Sequence, residues 1–338
     1  MSTADSLKFQ DIIEINDRFH DSALLHFAAS IDLFDRLTRP QSAAELAGSF
    51  GWIERKARVM LDALTALGLL VKEHDRYRNA QAAEALLRRD APGSLLPVIE
   101  HQRLQWDLWS RIGEVLAAEG SIPAQQELRL KKDAIANATY NQAMRNLSVG
   151  NINAFLELDV IKGPKHVLDL AGGHGEYATR LAQRNPGLTA EIWDLPTAAG
   201  LAEETVAAHG VAGRVVFKAR DIGELASYEG ATADAVLLNN CLHYFDAPKA
   251  EAIVARVTEI VPRGGQVVIT AVTLQQDRTA PTAAACFSFH MVMNAGPAEL
   301  HATSWLLDVL RRQDLAVETH ELGSLGVMGV TVMIGTKR

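Results

Sequence analysis

Cysteine is scarce: Cys241 and Cys286 are the two in 338 residues. Two thiols build neither a disulfide framework nor a thiolate zinc site, and such usage suits a reducing compartment, so a cytoplasmic location is expected. Proline is also sparse, at 11 residues, and with 48% apolar and 22% charged residues the composition excludes long disordered tails. There is no excess of positive charge: 33 basic against 41 acidic side chains give a formal net charge of −8. That balance removes the general field that would hold nucleic acid or an anionic membrane, and neither partner is expected. No stretch holds 18 consecutive apolar residues, and the opening MSTADSLKFQ lacks a basic and apolar signal pattern. Neither membrane spanning nor secretion is therefore expected. What remains is a globular chain long enough for two domains, each with its own core.

The first 150 residues read almost throughout as helix. Ser42 opens a capped helix through Ala47, Gly51 and Trp52 make a turn, and Glu54 to Leu67 carries apolar residues at Val59, Met60, Ala63, Leu64 and Leu67. The following LGLLVKEHDRYRNA predicts two short strands around Glu73 to Asp75, which completes a winged helix. Such a unit can read DNA, but its cations Arg55, Lys56 and Arg58 form one small cluster, and a packing or dimerisation role fits better. Ser22 to Leu37, rich in Ala, Leu and Phe, suits an interface between two chains. Arg88 to Pro97 reads as a linker. The expected division is a winged-helix dimerisation domain over 1–97, helical linker and pocket helices over 98–163, and an α/β domain over 164–338.

From Lys165 the pattern changes. The runs HVLDLA, AEIWDL, RVVFKA, ADAVLL and QVVITA are apolar, six residues each, and separated by helix-length segments, which predicts a parallel sheet with crossover helices. LAVETHEL and GVMGVTVMIGT add two strands, joined through Gly323, Gly326 and Gly329, that close one edge antiparallel. The sharpest local signal is VLDLAGGHGEYA, residues 167–178, a strand entering a glycine turn that opens a helix. Gly172, Gly173 and Gly175 there let backbone approach a ligand closely. The spacing also satisfies the loose dinucleotide fingerprint, with Asp194 at the end of the next strand, so NAD is a candidate. Asp169 argues otherwise. A carboxylate beside that turn repels a pyrophosphate and attracts an ammonium, which favours S-adenosylmethionine, and Asp221 after the third strand adds a further acid positioned for an adenine.

These motifs resemble the class I S-adenosylmethionine-dependent methyltransferases, and within them the small-molecule O-methyltransferases with an N-terminal winged-helix dimerisation domain. The resemblance covers nearly the whole chain and implies a seven-stranded Rossmann-like catalytic domain and a homodimer formed through the N-terminal domain. DLAGGHG keeps Asp169, Gly172, Gly173 and Gly175 of the family's DxGGGxG turn, with Ala171 in place of the first glycine. The resemblance implies cofactor contacts from these residues and from Asp194, Leu195, Asp221, Ile222 and Asn239. The family's LHDW-type segment falls on CLHYFD, which makes His243 the implied base for the acceptor hydroxyl, with Tyr244 where the family has Asp. Of two glutamates that orient this histidine in the family, one falls on Ala271 and the other on Glu299. Trp106, Trp109, Met144, Phe287, His290, Met291 and Asn294 are the implied lining of the acceptor pocket, mainly apolar and suited to a flat aromatic or heteroaromatic molecule.

The reading that follows is O-methylation of a small acceptor in secondary metabolism, releasing S-adenosylhomocysteine. Carbon methylation by the same fold is the alternative. A metal set of His243, His290 and Asp246 is conceivable, but its spacing is nonspecific and no metal is expected. A regulator that keeps the cofactor domain as a sensor, and an NAD-dependent oxidoreductase, stand as readings of other classes.

Overall fold

The computed structural model describes residues 7–161, 163–295, 298–325 and 328–338, with the side chains of 127–141, 143, 295 and 325 left out. It divides into two compact units, Met1–Leu104 and Gln105–Arg338.

The first unit contains α1 (Phe9–Ser30), α2 (Leu33–Arg36), β1 (Gln41–Ser42), α3 (Ala43–Phe50), α4 (Glu54–Ala66), β2 (Leu70–Glu73), β3 (Arg76–Asn79), α5 (Gln81–Leu86) and α6 (Leu96–Arg103). Ser42 caps α3 in the way its sequence promises: its Oγ accepts from the Glu45 N–H at 3.2 Å while Glu45 accepts from the Ser42 N–H at 2.6 Å. Gly51, left-handed at φ +70°, ends the helix. β2 and β3 form the expected hairpin, and β1 joins it as a third strand. In the segment expected to face a second chain, Ala28, Ala29, Leu33, Phe34 and Leu37 are instead buried in this unit's own core, against Leu46, Leu61, Leu64 and Tyr77. Phe27 of the same segment stays exposed, and further exposed apolar side chains, Phe9, Ile12, Ile13, Ile15 and Phe19, lie earlier on α1. Nor is the expected linker loose: Arg88 pairs with Glu84 at 2.5 Å, and Arg89 reaches Asp32 at 2.7 Å and Glu100 at 2.9 Å.

The second unit contains α7 (Trp106–Trp109), α8 (Ile112–Ala117), α9 (Pro123–Leu158), β4 (His166–Leu170), α10 (Glu176–Arg184), β5 (Thr189–Asp194), α11 (Ala199–Ala208), β6 (Val215–Ala219), β7 (Ala235–Asn239), α12 (Ala247–Ile260), β8 (Gln266–Val272), α13 (Thr282–Ala295), α14 (Thr303–Arg312), β9 (Leu315–Leu325) and β10 (Met328–Lys337). The stretch 98–163, set apart by the sequence, is thus shared between the two units. Seven strands run in the order β6-β5-β4-β7-β8-β10-β9, parallel except for β10, which is antiparallel to both neighbours. Of the glycines expected to join the last two strands, Gly323 and Gly329 lie in β9 and β10, and Gly326 lies outside the described residues.

Both faces of the sheet are covered, which is why its strands read as continuous apolar runs. Val167, Ile192, Leu237 and Val268 pack with Phe155, Tyr177, Leu181 and Val206 on one face. Leu168, Trp193, Val236, Leu238 and Ile269 pack with Ile253, Val257, Leu306 and Leu310 on the other. β4 sits between β5 and β7, so the chain leaves it in one direction and returns on the other side. In such sheets that reversal opens a crevice at the carboxyl ends of the strands. Among the described residues no helix is long and apolar enough to cross a membrane.

Candidate active site

β4 delivers Asp169 and Leu170 to the crevice, and the chain then turns through residues 171–175 into α10. A Cβ at Gly172 would stand 2.8 Å from the Asp169 Cγ and 2.9 Å from the Ile192 Cγ2, and one at Gly175, itself left-handed at φ +72°, would stand 2.6 Å from the Ile192 Cδ1. The turn therefore excludes a side chain at Gly172 by space, and disfavours one at Gly175 by its left-handed backbone as well as by the Ile192 contact. His174 faces inward, its Nδ1 accepting the Glu176 N–H at 3.2 Å, and Glu176 is paired with Arg145 of α9 at 2.9 Å.

Ala171, standing where the family motif has glycine, is left-handed at φ +52°. That conformation costs an L-residue roughly 1–2 kcal/mol, against which the greater unfolded-state freedom of glycine offsets about half. Ala171→Gly should thus stabilise the protein by about 0.5–1 kcal/mol. The test is urea unfolding, where the midpoint should rise with an unchanged slope; an unmoved midpoint would mean the surrounding turn already relieves the strain.

Asp169 and Asp194 meet the turn, and Asp221 stands next to Asp194. Asp169 is fully buried, with the Ala178 N–H donating to Oδ2 at 3.3 Å and the Asn239 Nδ2 to Oδ1 at 3.4 Å. Burial, and then the neighbouring Asp194, push its carboxyl up to about 7. Asp194 accepts the Gly173 N–H on one oxygen and the Leu195 N–H on the other, both at 2.7 Å. Its carboxyl is likewise raised, by burial first and also by Asp221. Asp221 is exposed and accepts the Gly223 N–H at 2.7 Å. Among the described residues no Lys or Arg forms an ion pair with any of the three. Asp169 and Asp194, both raised by burial, call for a cationic ligand, and S-adenosylmethionine brings an ammonium and a sulfonium. A dinucleotide would set its pyrophosphate against the same charges. The buried Asn239 Oδ1 and Asn240 Oδ1 have no hydrogen-bond partner, which leaves acceptors open toward a ligand's donors. Ile222 is buried and Leu195 about half exposed, so each of the outer two acids is followed by an apolar side chain.

Beyond β7 the chain makes a short turn, Leu242–Tyr244, before Asp246 caps α12 by accepting the Lys249 N–H at 2.9 Å. His243 on that turn is 8% exposed, and burial, with a smaller contribution from His301, pushes its imidazole down to about 4. A series of rings leads to it. Trp109 stacks on His290 at 6.1 Å, His290 on Phe287 at 5.6 Å, and Phe287 meets His243 edge-on at 6.1 Å. Tyr244 lies 4.6 Å from the same imidazole. The structure thus brings together four residues from the sequence-derived list. Met291 on the same helix is buried, and Asn294 donates back to the His290 carbonyl at 2.7 Å. Met144 is half-buried on α9, a helix that packs on α13, while Trp106 sits exposed at the start of α7, three residues before the tryptophan that reaches α13.

Glu299 is not brought to His243. It pairs with Arg278 at 2.6 Å, and no hydrogen bond joins it to the imidazole among the described residues. The neighbour that sequence reasoning missed is His301, two residues on, whose Nε2 lies 3.2 Å from the Leu242 carbonyl. Asp246 is occupied as a cap, and among the described residues no three or more His, Cys, Asp or Glu cluster to hold a metal ion.

Residues 126–308 match the O-methyltransferase domain, and residues 13–89 match the O-methyltransferase dimerisation domain. The chain belongs to this O-methyltransferase family and is an S-adenosylmethionine-dependent methyltransferase. Among its relatives, the tetracenomycin polyketide synthesis 8-O-methyltransferase of Streptomyces glaucescens is 30% identical, with 88% of this chain and 90% of that one covered. The N,N-dimethyltransferase OxyT of Streptomyces rimosus is 28% identical over 77% of each chain. An O-methyltransferase family protein from Burkholderia thailandensis has a solved structure that superimposes with a TM-score of 0.90, at 40% identity and 98% coverage of both chains.

Proposed function

We propose that this protein methylates a hydroxyl oxygen of a small, planar aromatic acceptor, with His243 as the base, in the biosynthesis of a secondary metabolite. The observation that carries this reading is the run of rings from Trp109 through His290 and Phe287 to a buried, neutral imidazole. When bound, S-adenosylmethionine supplies an electrophilic methyl on a sulfonium. Asp169 would be the counter-ion for its ammonium, Asp194 would accept from its ribose hydroxyls, Asp221 would serve its adenine, and the bare backbone at Gly172, Gly173 and Gly175 would allow its close approach. The aromatic faces hold the acceptor ring, so that its oxygen is aligned before any bond changes, an effect that can be worth about 7 kcal/mol or more.

His243 receives the proton. Moving it completely from a phenol of pKa about 10 to an imidazole near 4 would cost roughly 8 kcal/mol. The oxygen must therefore lose its proton as it gains the methyl, and acceptors whose hydroxyl is already acidified, by a conjugated carbonyl for example, are favoured. The relatives support oxygen as the nucleophile through the polyketide 8-O-methyltransferase. OxyT, named for a nitrogen, marks a departure. The dimerisation domain and the exposed apolar stripe of α1 support a homodimer. The acidic balance speaks against nucleic acid, and the low cysteine content supports the cytoplasm.

Two measurements test this. Calorimetric titration should give micromolar binding of S-adenosylmethionine and S-adenosylhomocysteine and none of NAD, and Asp194→Ala should weaken both adenosyl ligands by about 10-fold or more. Turnover of methyl-13C-labelled cofactor with a panel of mono- and bicyclic phenols should place the label on oxygen, as an aryl methyl ether. Label recovered on ring carbon or on nitrogen would overturn the choice of nucleophile.

A further inference from the structure

The base assigned above has no side chain holding its ring by a hydrogen bond among the described residues, so its orientation must come from the backbone turn that carries it. That turn is closed at one carbonyl. The Leu242 oxygen accepts the Phe245 N–H at 3.1 Å, and its second lone pair meets the His301 Nε2 at 3.2 Å. A carbonyl can only accept, so His301 carries its proton on Nε2. His301 is 4% exposed, and it is itself fixed from several directions. Its ring lies 4.6 Å from the Trp305 indole of α14. Its carbonyl accepts the Leu274 N–H at 3.4 Å, the Thr303 N–H donates to the Leu274 carbonyl at 3.0 Å, and the Thr303 hydroxyl donates to that of Thr273 at 2.7 Å. A continuous set of contacts therefore runs from the end of β8 through His301 to the carbonyl immediately before His243.

We infer that His301 is a positioning residue for His243: it clamps the Leu242–Tyr244 turn through the Leu242 carbonyl and so fixes where the imidazole points. This rests on the reading of His243 as the base. The two glutamates that the family resemblance implied for this task do not perform it here, since one position is Ala271 in β8 and the other, Glu299, is turned to Arg278. His301 does so without placing a carboxylate beside the site. The charged and titratable groups around it are Glu299 and Arg278 on its own side and His243 across the turn. A neutral clamp keeps the surroundings of His243 free of a fixed counter-charge, which agrees with the imidazole lying well below its ordinary value.

The test compares His301→Leu with His301→Gln in the full-length protein, since the glutamine amide can reach the same carbonyl and leucine cannot donate. Histidine-ring NMR reports on His243 without any acceptor, its signal assigned by its loss in His243→Ala. The wild type and His301→Gln should show one sharp neutral-tautomer signal, and His301→Leu a broadened or doubled one. Turnover should fall about 10-fold or more in the leucine variant and recover to within about 3-fold in the glutamine variant, with the KM for S-adenosylmethionine unchanged. A sharp, unmoved His243 signal in His301→Leu, or equal disorder in the two variants, would overturn the clamp while leaving the base in place. Full turnover in His243→Ala would remove the base, and the positioning role would fall with it.

Discussion

His243→Ala lowers turnover by about 10²-fold or more and leaves the affinity for S-adenosylmethionine within a few-fold of the wild type. The separation is expected because the imidazole is in ring contact with Phe287 and Tyr244, which we propose line the acceptor site, whereas the three acids proposed to hold the cofactor stand on β4, β5 and the loop after β6. The loss should also depend on the acceptor. With an imidazole near 4, the proton transfer is steeply uphill for an ordinary phenol and less so for an acidified one, so the variant should be damaged most on the least acidic hydroxyls. The same value sets the pH profile. His243 is active when neutral, so its acid limb should lie near pH 4, and kcat should be flat between about pH 5 and 8. A limb near the ordinary imidazole value, lost in His243→Ala, would show that the bound acceptor restores the basicity that burial removes. An unchanged turnover in the variant would make proximity the whole of the catalysis.

How much of this was legible in the sequence depends on the range of the interactions. The strands were visible because each is buried on both faces, so Val236, Leu237 and Leu238 had to be apolar in succession. The glycine turn and its acids were visible because they are local: Gly172 is required by Asp169, three residues away, and by Ile192 on the adjacent strand. Ser42 announced its helix for the same reason. His301 was not legible. It lies in a short connection whose position is set by pairing Leu274 with Ala302, and nothing in its neighbours distinguishes a clamp from a surface histidine. Glu299 failed in the opposite sense. Its position corresponds only approximately to the family's glutamate, and Arg278, 21 residues earlier, takes its carboxylate. The apolar residues of Ser22 to Leu37 show a third limit, because composition reports that a helix face must be covered and not whether the cover is the same chain or another.

Asp169→Asn should weaken S-adenosylmethionine binding by about 10- to 100-fold, abolish its pH dependence below neutrality, and yet stabilise the ligand-free protein at alkaline pH. In the folded, ligand-free state this carboxyl is raised to about 7, far above the value near 4 of an unfolded chain. The folded state therefore binds an extra proton between those values. The stability tied to this group is fully present below about pH 4 and is lost as pH rises through 7, where the folded protein must carry a buried, uncompensated charge. Asparagine carries none, so its advantage over the wild type should grow from pH 5 to pH 8, read as the difference in Tm. The cofactor reverses the sign. Its ammonium needs the carboxylate, and a charge-assisted hydrogen bond of about 1.5–3 kcal/mol is what the amide forfeits. Below pH 7 the wild type must expel a proton before binding, so its affinity should fall by up to about tenfold per pH unit, and calorimetry in buffers of different ionisation heat should detect nearly one proton released at pH 6. Above about pH 8 the ligand's own amine begins to lose its charge, which confines the best binding to the interval between. A variant that keeps wild-type affinity, or one in which the slope below pH 7 persists, would remove Asp169 as the counter-ion. The alternative is then Asp194, whose carboxyl is raised in the same direction and which Asp194→Asn would expose by the same two readings.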